Sequence, residues 1–461
     1  MPNIENIKKY KKIHMIGIGG ISMSGIAEII VNWGFEVSGS NNVDSEILHI
    51  LNKAGIKTFI GHDAQNLDNE HPDCVVFTAA ISKDNPELVR AHELGIPVIE
   101  RSDFLGELTR CYENTIAISG THGKTTTTSL VSLCFIEALQ DPSIQVGAII
   151  NDIGGNYRVG NSENFIIEAC EYVESFLKFS PKSEIILNID NDHLDYYKNM
   201  DNVKNAFIKY VKLLPEDGHL IINADDELCL DLPIYSKALA IKYGIENEDV
   251  DFSAQNIAFD DNGFPEFDCY KYNEFFAHFK LSIPGRHNIL NALACIALCD
   301  SYGINKDAMI SALQKFSGAD RRFQFKGILN GAKVYDDYGH HPTEVAATAK
   351  ALKNKKFNKS WVVFQPHTYS RTFNLLDDFA NALLSFDNII VTDIYAARET
   401  NTYNISSKDL VNAIIELGKN AIYIPSLEDC ASYLKDNVKE NDIVLTLGAG
   451  TVTDIGPMIV E

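Results

Sequence analysis

The segment Ser119-Gly120-Thr121-His122-Gly123-Lys124-Thr125-Thr126 constrains the fold more than any other stretch of the chain. It follows the apolar run 115–119, which reads as a strand, and it opens a helical pattern that continues to Ala138. Glycines at such a turn let backbone N–H groups converge on phosphate oxygens, and the helix N-terminus adds positive potential. Lys124 adds a full charge, and the Thr125 hydroxyl is suited to Mg²⁺. The standard spacing would need a glycine at 118, where Ile118 stands, so this is the shorter form G-T-x-G-K-T. Read alone, Gly120, Thr121, His122, Gly123, Lys124, Thr125 and Thr126 predict a nucleotide site and leave kinases, NTPases and ligases open.

A strand turning over glycines into a helix belongs to parallel α/β architecture. The rest of the chain agrees. Residues 1–112 alternate short apolar runs with helical patterns, with strands expected at 13–18, 36–38, 74–78 and 97–99. From 113 to 318 strands are expected at 115–119, 164–167, 184–189 and 219–223, and a helix near 288–301. Between 250 and 283, short alternating segments surround Asn262-Gly263, a hairpin signal that predicts an antiparallel insert. From 319 to 461 strands at 333–335, 360–364, 388–391, 421–424 and 442–447 alternate with helices. The 461 residues therefore read as three α/β domains, 1–112, 113–318 and 319–461.

Composition narrows the function. The net charge of −23 disfavours nucleic acid and anionic lipid as main partners, although local cations and helix N-termini can still hold small anions. No apolar run approaches the ~20 residues of a membrane span. The polar first twelve residues lack the apolar core of a secretory signal. A cytoplasmic protein is expected. The nine cysteines include no C-x-x-C pair, so reduced thiols are expected, with no zinc site. Cys295 and Cys299, four apart on one helix, suit core packing.

A second glycine turn, Gly17-Ile18-Gly19-Gly20-Ile21-Ser22, nearly matches the dinucleotide fingerprint, but Ser22 replaces its third glycine. The second strand ends in Ser38-Gly39-Ser40-Asn41 and carries no acid for a ribose. NAD is disfavoured, and a different diphosphate remains open. Acids follow two strands beside the phosphate loop: Glu168 and Glu171, then Asp190, Asp192 and His193. Carboxylates at strand ends are placed to hold Mg²⁺. Against the acidic background, Arg286, Arg321, Arg322, Arg371 and Arg398 stand at element junctions, suited to carboxylate and phosphate. The junctions 284–288, 336–344 and 365–372 are dense in polar residues, and Thr343 is expected to cap the helix after the second. The adjacent pair His340-His341 does not suggest zinc.

In this order the segments resemble the Mur ligase family over nearly the whole chain. The N-terminal string His14 to Gly25, Thr78-Ala79-Ala80-Ile81, Asn85-Pro86-Glu87, the phosphate loop, Glu168-Ala169-Cys170-Glu171-Tyr172, Asp192-His193-Leu194-Asp195, Arg321-Arg322-Phe323 and the three polar junctions carry the resemblance. It implies a Rossmann-like UDP-sugar-binding domain, a central ATPase domain and a Rossmann-like C-terminal domain. It also implies ATP-dependent ligation through an acyl phosphate, with the members that add L-alanine to UDP-N-acetylmuramate in peptidoglycan synthesis most similar. By the same resemblance Lys124, Glu168, His193 and Arg371 serve catalysis, and Thr125, Glu168 and His193 hold Mg²⁺. ATP would also meet Asn288, Asn291, Arg322 and Asp337. The UDP-sugar would meet Gly17, Gly19, Gly20, Ser22, Met23, Ser24, Ser38, Thr78 and Ala79. Muramate and alanine would meet His340, His367, Arg371 and Arg398.

The sequence departs from the family at Asn41 and Thr451, where Asp is common, and at Cys170, another common Asp. A murein peptide ligase, adding a tripeptide to the same UDP-sugar, is the nearest alternative. A phosphate-loop ATPase acting as a partner-binding switch is an alternative of another class.

Overall fold

The computed structural model describes residues 2–460 other than 262, 354 and 398, with all their side chains except those of Leu194 and Asp195. Arg398 and Asn262 of the hairpin signal therefore lie outside the described residues. The chain forms a three-domain α/β fold with three sheets. It divides into two compact units: residues 1–253, 271–274 and 291–312, then residues 254–270, 275–290 and 313–461. The first two sheet-centred regions of the chain thus share one unit. No described helix is long and apolar enough to cross a membrane.

The first sheet contains β1 (Lys12–Ile16), β2 (Glu36–Asn41), β3 (Lys57–Ile60), β4 (Cys74–Phe77) and β5 (Val98–Glu100), in the order β3-β2-β1-β4-β5. All neighbours are parallel. After β3 the chain crosses back to the far side of β1, so the strand order reverses between β1 and β4. Ligands of open α/β sheets bind outside the strand ends at such a reversal. The Gly17 turn leaves β1 there and Thr78 leaves β4. A Cβ on Gly17 would lie 2.8 Å from the Thr78 methyl, and Gly17 has φ +82°, so only glycine suits the position.

The second sheet uses β6 (Asn114–Ser119), β7 (Ser143–Ile150), β8 (Gly155–Arg158), β9 (Asn164–Glu168), β10 (Ser183–Ile186), β11 (His219–Asn223) and β12 (Leu239–Gly244). It continues with β13 (Phe252–Phe259), β14 (Pro265–Lys271) and β15 (Glu274–Lys280). The order is β15-β14-β13-β12-β11-β10-β6-β9-β7-β8. β10 ends at Ile186, three residues before the expected end: Leu187–Ile189 leave the ladder, and Asn188 is used instead to brace the phosphate loop. Strand β6 lies between β9 and β10 and is buried along its length, with Ile116, Ala117 and Ile118 fully enclosed. Each enclosed isoleucine contributes roughly 1.5–3 kcal/mol. Ile118 pairs with Ile185 on one side and Glu168 on the other. It is strand, and this is why the glycine of the longer loop form is absent. The hairpin β7–β8 was not expected from the sequence.

The third sheet contains β16 (Gln324–Leu329), β17 (Ala332–Asp337), β18 (Ser360–Phe364), β19 (Asn388–Val391), β20 (Ala421–Tyr423) and β21 (Ile443–Leu447), ordered β16-β17-β21-β18-β19-β20. Only β16 runs antiparallel to its neighbour. Apolar clusters cover both faces of this sheet, centred on Phe364 and Phe379 on one and on Val363 and Val444 on the other.

Candidate active site

In the first unit the phosphate loop joins β6 to the helix Lys124–Glu137. Gly123 has φ +86°, and a Cβ there would fall 2.7 Å from Asn291 Oδ1, so glycine is required twice over. The segment after β10 shapes the loop. Asn188 accepts from His122 N at 2.8 Å and donates to His122 O at 3.0 Å, and Thr121 Oγ1 accepts from Asp190 N at 2.8 Å. The His122 ring meets Asp190 Oδ2 at 2.9 Å.

Lys124 Nζ donates to Gly120 O and Thr121 O, at 2.5 and 3.0 Å, and pairs with Glu171 Oε2 at 2.9 Å. Burial works against its charge, but Glu171 and Glu168 outweigh that and hold its pKa above the ordinary lysine value. Thr125 Oγ1 donates to Glu168 Oε2 at 3.0 Å, and Gly147 N from β7 donates to the same oxygen at 2.9 Å. A Cβ on Gly147 would press on that carboxylate at 2.9 Å, so the glycine lets β7 approach it.

His193, with φ +55°, has Nε2 3.9 Å from Glu171 Oε1 and packs against Tyr172 with rings tilted by 39° and 4.6 Å between their centres. Thr125 and Glu168 thus adjoin, while His193 reaches the group through Glu171. Hard oxygen donors beside a fixed lysine fit a magnesium nucleotide. The role of Glu171 in bridging Lys124 and His193 did not follow from the sequence, although its place after a strand marked it.

The N-terminal turn is built differently. Gly17 N and Ile18 N donate to Ser40 O at 2.8 and 3.0 Å. Ser40 Oγ in turn donates to the fully buried Glu87 at 2.5 Å. Glu87 also accepts from Asn66 at 2.7 Å and meets His62 at 3.2 Å and His14 Nε2 at 3.5 Å. Burial alone would raise the Glu87 pKa, yet His14 and the hydroxyl and amide donors leave it below its ordinary value.

Ser38 is buried with its hydroxyl 2.9 Å from His14 Nδ1, Ser24 Oγ returns to Ile21 O at 2.9 Å, and Met23 lies in the core. Gly17, Gly19, Gly20, Thr78 and Ala79 keep accessible surface. Ser22 Oγ accepts from Arg101 at 3.1 Å and from Gln145 at 2.8 Å. An open recess is lined by Ser22, Arg101, Gln145, Gly147, Glu168 and Cys170.

The second unit carries its own polar set at the C-terminal ends of β17, β18 and β21. Arg371 Nη1 lies 2.9 Å from His367 Nδ1, and the His367 ring sits between those of His340 and Tyr395, at 5.5 and 5.8 Å. Arg321 and Arg322 stack on Tyr338 at 4.9 and 5.3 Å. Arg321 also donates to Asp336 at 3.2 Å and Gly448 O at 2.6 Å, so it is structural support for the loop. Asp337 is buried. That burial raises its pKa although Arg322 opposes, and it accepts from Phe323 N and Gly339 N at 2.8 Å each.

Asn288 Nδ2 is turned back on Pro284 O at 2.8 Å. Burial and Arg322 push the neighbouring His287 down to about 4. The helix cap expected at Thr343 is instead His341. Pro342 takes the first helical position, where its missing N–H costs nothing, and His341 Nδ1 accepts from Thr343 N at 3.3 Å. Gln365 Nε2 meets Thr451 Oγ1 at 3.2 Å.

A glycine loop with lysine, hydroxyl and flanking acids defines a nucleotide-dependent enzyme of the Mur type, and comparison with known proteins agrees. Family models for the Mur ligase catalytic, middle and glutamate ligase domains match residues 12–113, 118–299 and 321–450. The UDP-N-acetylmuramate–L-alanine ligase of Acetivibrio thermocellus is 46% identical over 98% of this chain and 96% of its own. That of Clostridium acetobutylicum is 48% identical over 98% of both. The crystal structure of UDP-N-acetylmuramate-alanine ligase from Thermotoga maritima superposes with a TM-score of 0.81, at 31% identity over 97% of this chain and 98% of that one. The chain belongs to the Mur ligase family.

Proposed function

We propose that the protein joins L-alanine to the carboxylate of UDP-N-acetylmuramate at the expense of ATP, in the cytoplasm, as a step of peptidoglycan synthesis. The observation that carries this is identity of 46–48% across 98% of the chain to relatives that bear this activity in their names. The phosphate loop supplies the chemistry. The muramate carboxylate attacks the γ-phosphorus, ADP leaves, and an acyl phosphate forms. The amine of alanine then attacks the acyl carbon, loses a proton, and expels phosphate. Phosphoryl transfer needs charge neutralisation and positioning more than a nucleophilic side chain.

Lys124 would release Glu171 and neutralise the β- and γ-phosphates. Thr125 and Glu168 would hold Mg²⁺, with His193 nearby; the ion offsets phosphate charge. Gly17, Gly19, Gly20, Thr78 and Ala79 would cradle the UDP-sugar diphosphate at the reversal of the first sheet. Ser22, Met23, Ser24 and Ser38 would act from behind, by fixing the turn. In the second unit, Arg371 with His340 and His367 would receive the muramate and alanine carboxylates, and Arg322 and Asp337 would serve ATP. Asn288 and Asn291 would flank adenine.

ADP release with UDP-N-acetylmuramate should depend on added L-alanine. Release needing neither substrate would point to an uncoupled ATPase, and release with tripeptide but not alanine to a murein peptide ligase.

A further inference from the structure

Three cysteines outside the proposed site meet in the core of the first unit. Cys134 lies on the helix Lys124–Glu137, and Cys295 and Cys299 lie one turn apart on the helix His287–Ser301. All three are fully buried and unoxidised. Cys134 Sγ is 3.6 Å from Cys295 Sγ, which is 3.9 Å from Cys299 Sγ, and all three sulfurs fall within 4.8 Å of one another. An ion bonded to three sulfurs at about 2.3 Å, the length of a zinc–thiolate bond, holds them roughly 3.4–4.0 Å apart. The cluster is already close to that spacing.

Charge decides which ion. Among the described residues no fourth His, Cys, Asp or Glu ligand atom joins the three. Zinc, which takes four ligands in structural sites, is therefore poorly served. The charges that act on Cys134 and Cys299 from outside the cluster are the carboxylates Glu137 and Asp300, and Lys271 Nζ pairs with Asp300 at 2.7 Å, so these neighbours supply no net positive charge to an anionic complex. Three thiolates around a monovalent ion carry −2, and around a divalent ion −1, both costly in a dry core. Around a trivalent ion the charge is zero.

We propose that Cys134, Cys295 and Cys299 form a binding site for a trivalent thiophilic metalloid, of which arsenite is the accessible probe. Three As–S bonds form, three As–O bonds of arsenous acid break, and the three thiol protons leave with the hydroxyls as three waters. Arsenic stays trivalent and no oxidant is required. Burial holds the Cys295 and Cys299 thiols well above their ordinary pKa, whereas at Cys134 the hydrogen bonds with those two thiols outweigh burial and lower its pKa. The bound ion clamps the helix that begins with Lys124 to the helix whose Asn291 lies against Gly123.

The test incubates reduced full-length protein overnight with arsenite, desalts it and measures arsenic by elemental analysis. One arsenic per chain is expected, with arsenic–thiolate absorption in the ultraviolet and a raised melting temperature. Cys295→Ala and Cys134→Ala should each weaken retention at least tenfold, while Cys170→Ser, at the exposed cysteine, should leave it unchanged. Cys299→Ala provides the same test if either of the first two variants fails to fold. Absence of arsenic on the wild-type protein, loss of it on Cys170→Ser, or its full retention on all folded cluster variants would overturn the assignment. Uptake of cuprous ion in preference to arsenite would overturn the charge argument and with it the proposal.

Discussion

The two glycine turns of the first unit share one local plan and differ in what stands behind them. Both leave a buried parallel strand, both turn at a glycine with positive φ, and both enter a helix. The loop at 120–125 is surrounded by full charges: Lys124, Glu168, Glu171 and Asp190, with hydroxyls between. The turn at 17–22 has no lysine. It hangs from Ser40 O, which is held from below by one sealed carboxylate, Glu87. Topology alone makes a place for phosphate. Under the proposed function, the charged groups at 120–125 serve the transfer of a phosphate, and the turn at 17–22 serves only to hold one.

Changing the charged loop should have the largest effect. Lys124→Ala is expected to lower kcat by roughly 10³-fold or more with the fold intact, since it removes the main cation facing the developing charge. Steady-state ADP release and circular dichroism check this, and near-normal turnover would sink the assignment. Glu168→Gln keeps the shape but removes the carboxylate that receives Thr125 and Gly147. It should raise the magnesium concentration for half-maximal rate about tenfold or more.

Glu87→Gln tests the other turn. Losing a buried charge-assisted network should cost about 2 kcal/mol of stability. It should also raise KM for UDP-N-acetylmuramate several-fold while kcat and KM for ATP stay level; an equal change in both KM values would erase the distinction drawn here.

The smallest effect concerns Glu28, which receives the Tyr157 hydroxyl and whose pKa burial raises to about 7. The folded state therefore holds its proton more tightly than the unfolded chain. This contribution to stability is complete below the unfolded value near 4.5 and is lost as pH rises towards about 7, on the order of 2 kcal/mol. Glu28→Gln should flatten that slope in melting temperature against pH.

Much of this was legible in the sequence because the signals are local. The strand–glycine–helix pattern fixes 115–126 without help from elsewhere, and Glu168 declares itself by following an apolar strand. What was not legible depends on distant pairing. The hairpin β7–β8 has no clear period, yet it brings Gln145 to Ser22 and Gly147 to Glu168. Ser22 looked like a failed fingerprint glycine. In the fold its hydroxyl gathers Arg101 and Gln145, a use invisible without both partners. His341 as cap in place of Thr343 turned on Pro342, whose fixed φ starts the helix two residues earlier than the hydroxyl suggested.

The most direct measurement follows the oxygen atoms. UDP-N-acetylmuramate labelled with ¹⁸O in its carboxylate is turned over with ATP and L-alanine, and the released phosphate is weighed by mass spectrometry. An acyl phosphate formed at the loop predicts one labelled oxygen in each phosphate and one amide bond per ADP. Unlabelled phosphate with continued ADP release would contradict the account.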